Sequence, residues 1–223
     1  MQSTLVNQDS QDREFLELPQ TPLSFEVLDF VTRNASAPIW NHSIRSYLFA
    51  RLVARERRLV AGRDYDADLL FCACALHDIG LTQAGDRGHR FEVDGADLAA
   101  ELLTRRGLPT AQVDIVWQAI ALNTSPGIVE RRGAVCELTL AGVVVDFGGP
   151  SAFISDATAA AIHDVYPRLA IGRALAEAIA LQAAGRPEKA PLFSMPAQLL
   201  RQHATTPHIT EVEMLAQAGR WGE

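Results

Sequence analysis

The sequence predicts an all-α fold folded as a single domain, and three observations carry that prediction. Apolar residues recur at helical spacing along most of the chain, residues suited to helix starts and stops punctuate those runs, and the single β-branched run, Val143-Val144-Val145, has no second strand-like segment to pair with. With 223 residues, 48% of them hydrophobic, the chain can bury a substantial core as one domain.

In chain order, residues 1–20 form a polar arm with few groups to pack beyond Phe15, Leu16 and Leu18, expected to be loose or draped over the rest. Residues 21–223 are expected to form the domain. Thr21-Pro22 reads as a helix start, with Thr21 as N-cap and Pro22 in the first turn, followed by Leu23, Val27, Phe30 and Val31 on one face. After Pro38, Trp40 to Arg58 repeats apolar residues at Ile44, Leu48 and Leu52, and its arginine-rich end suits the helix dipole. Gly62 and Asp64 break the chain, Asp66 can cap, and Ala67 to Leu76 leads into His77-Asp78, with Gly80 as the stop. A Gly-, Asp- and Arg-rich loop from Thr82 to Arg90 suits a mobile cover. A helix from about Arg90 to Arg106 follows, and Thr110 caps another bearing Val113, Val116, Trp117 and Ile120.

Residues Ala134 to Phe147 are read as a buried helix despite the three valines, because a lone strand cannot satisfy its own hydrogen bonds. Asp156 to Val165 and Arg168 to Ala184 are two more helices. Ser194 and Thr210 cap a final pair over 194–219, with Thr210 and Glu213 forming a capping box.

Composition excludes several classes of function. The net charge is −7 and the single lysine is Lys189, with arginine scattered rather than clustered, so nonspecific nucleic-acid binding is disfavoured. No apolar run approaches the roughly 18 residues of a membrane span, and Met1 to Arg13 lacks the apolar segment of a secretory signal. Three cysteines in apolar surroundings read as reduced core thiols. A cytoplasmic protein is expected, with a small-molecule substrate, no nucleic-acid or membrane partner, and room for a homo-oligomer.

Chemistry concentrates at His77-Asp78. Leu70, Ala73 and His77 share one helix face, so an imidazole is carried toward the core, where it needs a partner. A metal ion is one such partner, since imidazole and carboxylate are both ligands and neighbouring side chains about 100° apart can converge near a helix end. A His-Asp dipeptide also arises by chance, and His163-Asp164 is a second one, read as a surface pair without a role. His42 opens a helix, where a capping or surface histidine is the plainer alternative. Asp146 follows three valines and must be paired or ligate something, an ion pair to Arg45 being the structural alternative. Asn123 is either a helix-end polar residue or a group that holds substrate.

Together, His42, His77-Asp78 and Asp146 resemble the motif of the HD-domain superfamily of helical metal-dependent hydrolases, over about residues 24–185. The closer likeness is to the cyanamide hydratase-like branch, through Asn41-His42-Ser43-x-Arg45, His77-Asp78-Ile79-Gly80-x-Thr82 and Arg90-Phe91-Glu92-x-x-Gly95-Ala96. The resemblance implies an HD-type helical bundle with His42, His77, Asp78 and Asp146 as metal ligands. Phosphodiesterase branches carry a lysine just after the His-Asp segment, where this chain has Leu81 and Thr82. Two-metal branches need further histidines, where this chain has Asn123 and a loop histidine, His89. One divalent metal per chain is therefore expected; the ligand set suits zinc, and iron(II) or manganese would also be accepted.

Such a site activates a water for attack on an electrophilic carbon or phosphorus. For a nitrile-type carbon the result is hydration, cyanamide giving a urea-like product. Asp78 is the candidate to combine ligation with proton transfer, Thr82, Glu92 and Arg45 to act beside it, and Asn123 and Asn41 to bind substrate. A phosphohydrolase using Arg45, Arg87 or Arg90 in place of lysine is the alternative reaction, and a catalytically silent regulatory or binding module the alternative of another class.

Overall fold

The computed structural model describes residues 16–203. Among the described residues the fold is all-α, with nine α-helices and no strand: α1 Pro22–Asn34, α2 Ala37–Glu56, α3 Ala67–Leu76, α4 Phe91–Arg105, α5 Thr110–Ala121, α6 Ala134–Asp146, α7 Asp156–Val165, α8 Ile171–Ala183 and α9 Met195–His203. Short 3-10 turns cover Ile79–Leu81, Val129–Arg131 and Pro187–Lys189. The Thr210–Glu213 capping box and most of the N-terminal arm lie outside the described residues. Where the arm is described, Leu16 and Leu18 pack against the core, and Arg51 donates to Glu17 O at 2.6 Å.

The helix starts follow side-chain chemistry. Thr21 and Ser24 form a reciprocal capping box on α1. Asp66 accepts from the amides of Asp68 and Leu69 to start α3, and Ser155 and Ser194 accept from the first turns of α7 and α9. Three boundaries differ from the sequence reading. Helix α2 begins at Ala37, ahead of Pro38, because a proline in the first turn removes only an amide that has no helical acceptor. Helix α5 is capped at Pro109, so Thr110 is its first residue and makes no capping bond. Helix α8 begins at Ile171, because Leu169 and Ala170 have φ of 50° and 54°, a left-handed conformation that cannot open a helix.

The core is one contiguous apolar cluster in which α2, α3 and α6 are central. Helix α3 is buried along almost its whole length. Burial pushes the Cys74 thiol up to about 12 and Cys136 up to about 11, and all three cysteines are free, so they are inert packing groups.

Two glycine crossings set where the functional residues meet. A Cβ on Gly142 would lie 2.0 Å from Ser46 O, so α6 lies against the backbone of α2 where only glycine fits. Gly142 and Asp146 share one face of α6, and Ser46 and His42 share one face of α2. The contacts Gly142 to Ser46 and Asp146 to His42 therefore run antiparallel, and the first close approach delivers the second. At the other crossing, a Cβ on Gly80 would lie 1.9 Å from Phe91 O, and one on Gly95 would lie 2.9 Å from Gly80 N, so the turn after His77-Asp78 is pressed onto the start of α4. Gln182 of α8 donates to Gly80 O at 2.8 Å and ties a third element to the same turn.

Lys189, the single lysine, is buried, paired with buried Asp94 and with Asp86 at 2.7 Å. Asp94 also accepts from the amides of Arg87 and His89, and Arg186 pairs with Asp86 at 2.7 Å. The 82–90 loop is thus pinned at several points to α4 and to the segment after α8. His163 is half-buried rather than on the surface, its ring 6.1 Å from that of Phe49, because α7 lays that face toward α2.

Candidate metal centre

The site forms where the first third of α2 meets the end of α3. His42, His77 and Asp78 are all buried, and each offers a donor atom within 4.8 Å of the others. The hydrogen bonds fix both imidazoles. His42 Nδ1 lies 2.6 Å from Asp146 Oδ2, and because an ionised carboxylate only accepts, Nδ1 carries the proton. His77 Nδ1 lies 2.7 Å from Cys74 O, a carbonyl, so it too is the donor. Both Nε2 atoms are left with a lone pair, and they face each other at 3.2 Å. Two lone pairs at that distance repel unless a cation lies with them. Asp78 Oδ2 is 3.2 Å from His77 Nε2 and 3.8 Å from His42 Nε2, and it is buried without a hydrogen-bond partner.

The electrostatics agree. Burial and the neighbouring His77 lower the pKa of His42 against the opposing pull of Asp146. For His77, burial is outweighed by the Asp78 carboxylate and the Cys74 carbonyl, and the pKa rises. Burial would raise Asp78, but the imidazoles hold it below the usual carboxylate range. Positive charge is therefore favoured at the point between the two Nε2 atoms and Asp78 Oδ2. Two neutral imidazoles and a carboxylate are a donor set that fits a divalent ion, and such an ion would satisfy the buried Asp78 Oδ2 that protein groups leave unpaired.

Asp146 stands one step behind. Burial would raise its pKa, but Arg45 and His42 hold it well below the usual range. Arg45 is fully buried and meets both carboxylate oxygens at 2.7 Å, and Arg168 reaches Oδ1 at 3.1 Å. Asp146 thus orients His42 while fixed by two arginines, which is the Arg45 ion pair that its buried setting allowed. Arg45 also donates to Tyr166 O and Pro167 O, and Asn41 donates to Pro167 O at 3.0 Å, so both residues clamp the turn after α7 behind His42.

A cavity of about 390 Å³ opens against the three donors. Asn123 lines it and lies with Nδ2 3.4 Å from His77 O. Thr124, also on the wall, donates to Glu92 at 2.7 Å and accepts from Arg90 at 2.7 Å, so Glu92 reaches the cavity only through that hydroxyl. Thr82 is buried in its own turn, donating to Ile79 O at 2.7 Å. Asn41, Arg45, Thr82, Glu92 and Asp146 are not among the lining residues. Sequence reasoning missed the walls from Phe147, Leu175, Met195 and Leu199, which read as ordinary core, and missed Arg168; only the half-exposed Phe147, directly after Asp146 and 4.7 Å from the His42 ring, carried a positional signal.

Comparison with known proteins places these residues in context. The HD domain family model matches residues 39–148, a span that contains His42, His77, Asp78 and Asp146. Two relatives from Saccharomyces cerevisiae, cyanamide hydratase DDI2 and cyanamide hydratase DDI3, are each 27% identical to the chain over 157 residues, covering 68% of this chain and 68% of each relative.

Proposed function

This chain is an HD-domain protein, and from that premise we propose that it is a metal-dependent hydratase that adds water to a small nitrile-type carbon, as in the conversion of a cyanamide to a urea. The observation that carries the reading is the convergence of two imidazole lone pairs and an orphaned carboxylate oxygen on one point at the wall of a cavity whose lining, among the described residues, contains no lysine or arginine. Three protein donors with further positions open is the layout of a catalytic rather than a structural ion. A bound divalent ion, with zinc the first choice, would lower the pKa of a water and polarise the nitrile.

The chain's own residues do the rest. Asp146, held by Arg45 and Arg168, keeps His42 in the tautomer that presents Nε2, and the Cys74 carbonyl does the same for His77. Asp78 supplies a carboxylate next to the reacting water and can hold a proton in transit to the nitrile nitrogen. Asn123, with one amide edge at His77 O, and Thr124, fixed by Glu92 and Arg90, are the polar groups at the cavity wall that can orient a substrate. Asn41 and Thr82 are assigned positioning roles, one on the turn behind His42 and the other on the turn after Asp78.

Hydration needs no leaving group and develops modest charge, whereas phosphoryl transfer requires several cations at the reacting centre. Arg45 is committed to Asp146, Arg87 to Glu101 and Arg90 to Glu92, which leaves the phosphohydrolase alternative without its cations. A silent binding module has no need of buried donors that repel one another when bare. The test is to assay metal-loaded protein on cyanamide, following urea, beside nucleotides and a phosphodiester. Urea release without phosphate release supports the reading, and phosphate release without urea refutes it.

A further inference from the structure

The walls of the cavity speak to the size and polarity of what it holds. Three helices each turn a face without charged groups toward it at helical spacing: Val143 and Phe147 at the end of α6, Gly172, Leu175 and Ala176 on α8, and Met195 and Leu199 on α9. The polar lining comes from the three donors and from Asn123 and Thr124. A molecule of three heavy atoms such as cyanamide takes up on the order of two waters' volume, roughly 60 Å³. That fills a small part of a cavity of about 390 Å³, a volume that falls among pockets built to enclose larger organic molecules. If cyanamide itself were the ligand, the apolar faces of α8 and α9 would be left against water.

We propose that the substrate is a cyanamide or nitrile bearing an apolar alkyl or aryl substituent of about four to eight carbons, and that Leu175, Ala176, Met195 and Leu199 select it. The inference rests on the hydratase reading. The polar head lies at His42, His77, Asp78 and Asn123, and the substituent lies along α8 and α9. For a monosubstituted cyanamide the reaction balances as R–NH–C≡N plus water giving R–NH–C(=O)–NH2. A C–O bond forms at the nitrile carbon, both protons of the water end on nitrogen, and nothing leaves.

The test compares cyanamide with N-butylcyanamide and N-benzylcyanamide on the metal-loaded full chain, and measures calorimetric binding of N-butylurea against urea. Each buried carbon of the chain is expected to raise kcat/KM roughly fourfold, so the butyl substrate, with four of them, should exceed cyanamide by about 250-fold. In Ala176→Trp the ratio of the two should fall toward one. Should that variant fail to fold, Leu199→Trp on α9 reads the same ratio. Cyanamide turned over as well as or better than both substituted forms would overturn the inference and leave the hydratase reading standing. If none of them is hydrated but N-butylurea binds more tightly than urea, the hydratase reading falls and the apolar pocket stands. No turnover and no preference for N-butylurea overturns both.

Discussion

Replacing Gly142 with alanine tests the contact that brings Asp146 to His42. The added methyl would lie 2.0 Å from Ser46 O and 3.0 Å from Ala50 Cβ and N, whereas carbon and carbonyl oxygen settle at about 3.3 Å or more. Backbone rather than a flexible side chain blocks it, so α2 and α6 must separate by about 1 Å. Overpacking of this kind costs about 1–3 kcal/mol, and alanine returns up to about 1 kcal/mol through helix propensity. The expected net loss is about 1–2 kcal/mol, which lowers Tm by about 2–8 °C for a chain of this length. One turn further along, Asp146 would withdraw from His42, and metal affinity should fall roughly 10–100-fold, as when an orienting partner is removed. Gly172→Ala is the matched control, since Gly172 lies in α8 with nothing within 4 Å of its would-be Cβ and should gain about 0.4–1 kcal/mol. Thermal melts and metal titration of the two variants read both effects. Gly142→Ala with an unchanged or raised Tm and native metal affinity would refute the claim that this crossing places the site.

Other perturbations have equally definite outcomes. Arg45→Met strands the buried Asp146 carboxylate with His42 and Arg168 and should cost about 3–5 kcal/mol in urea denaturation; a loss below about 1 kcal/mol would show that the pair is not the anchor described. Lys189→Met leaves buried Asp94 without its cation, and limited proteolysis should then cut the 82–90 loop faster than in the native chain; equal rates would show that the lysine does not hold the loop. His163→Ala should leave metal content unchanged. Burial, followed by the charges of Arg45 and Arg168, lowers the His163 pKa, so the unfolded chain takes up this proton more readily than the folded one. Stability from this group is complete above about pH 6.5 and is lost as pH falls through that value toward the folded pKa. Urea midpoints measured across this window should fall less steeply in His163→Ala than in the native chain, and identical slopes would contradict the assignment.

The helices were legible because their ends carry local chemistry: Thr21, Asp66 and Ser194 each accept from first-turn amides where the sequence invites it. Val143 to Val145 could be read as a helix because no partner strand existed, although Val144 turns out to be half-exposed. His42, His77 and Asp78 were legible as donors because each is polar in an apolar run. The contact of Asp146 with the His42 ring was not, since whether a carboxylate on one helix reaches an imidazole on another depends on how closely the two cross, and Gly142 sets that distance. The cavity walls were equally hidden: an apolar residue facing a cavity and one facing the core obey the same periodicity. Nor does composition reveal that the single lysine is buried, because its partners Asp94 and Asp86 lie about a hundred positions away.

The central claim is that His42, His77 and Asp78 hold one divalent metal ion, and elemental analysis of the purified chain beside His77→Ala tests it most directly. The account predicts close to one ion per native chain and almost none in the variant. Two tightly held ions per native chain, or an unchanged metal content in His77→Ala, would contradict it.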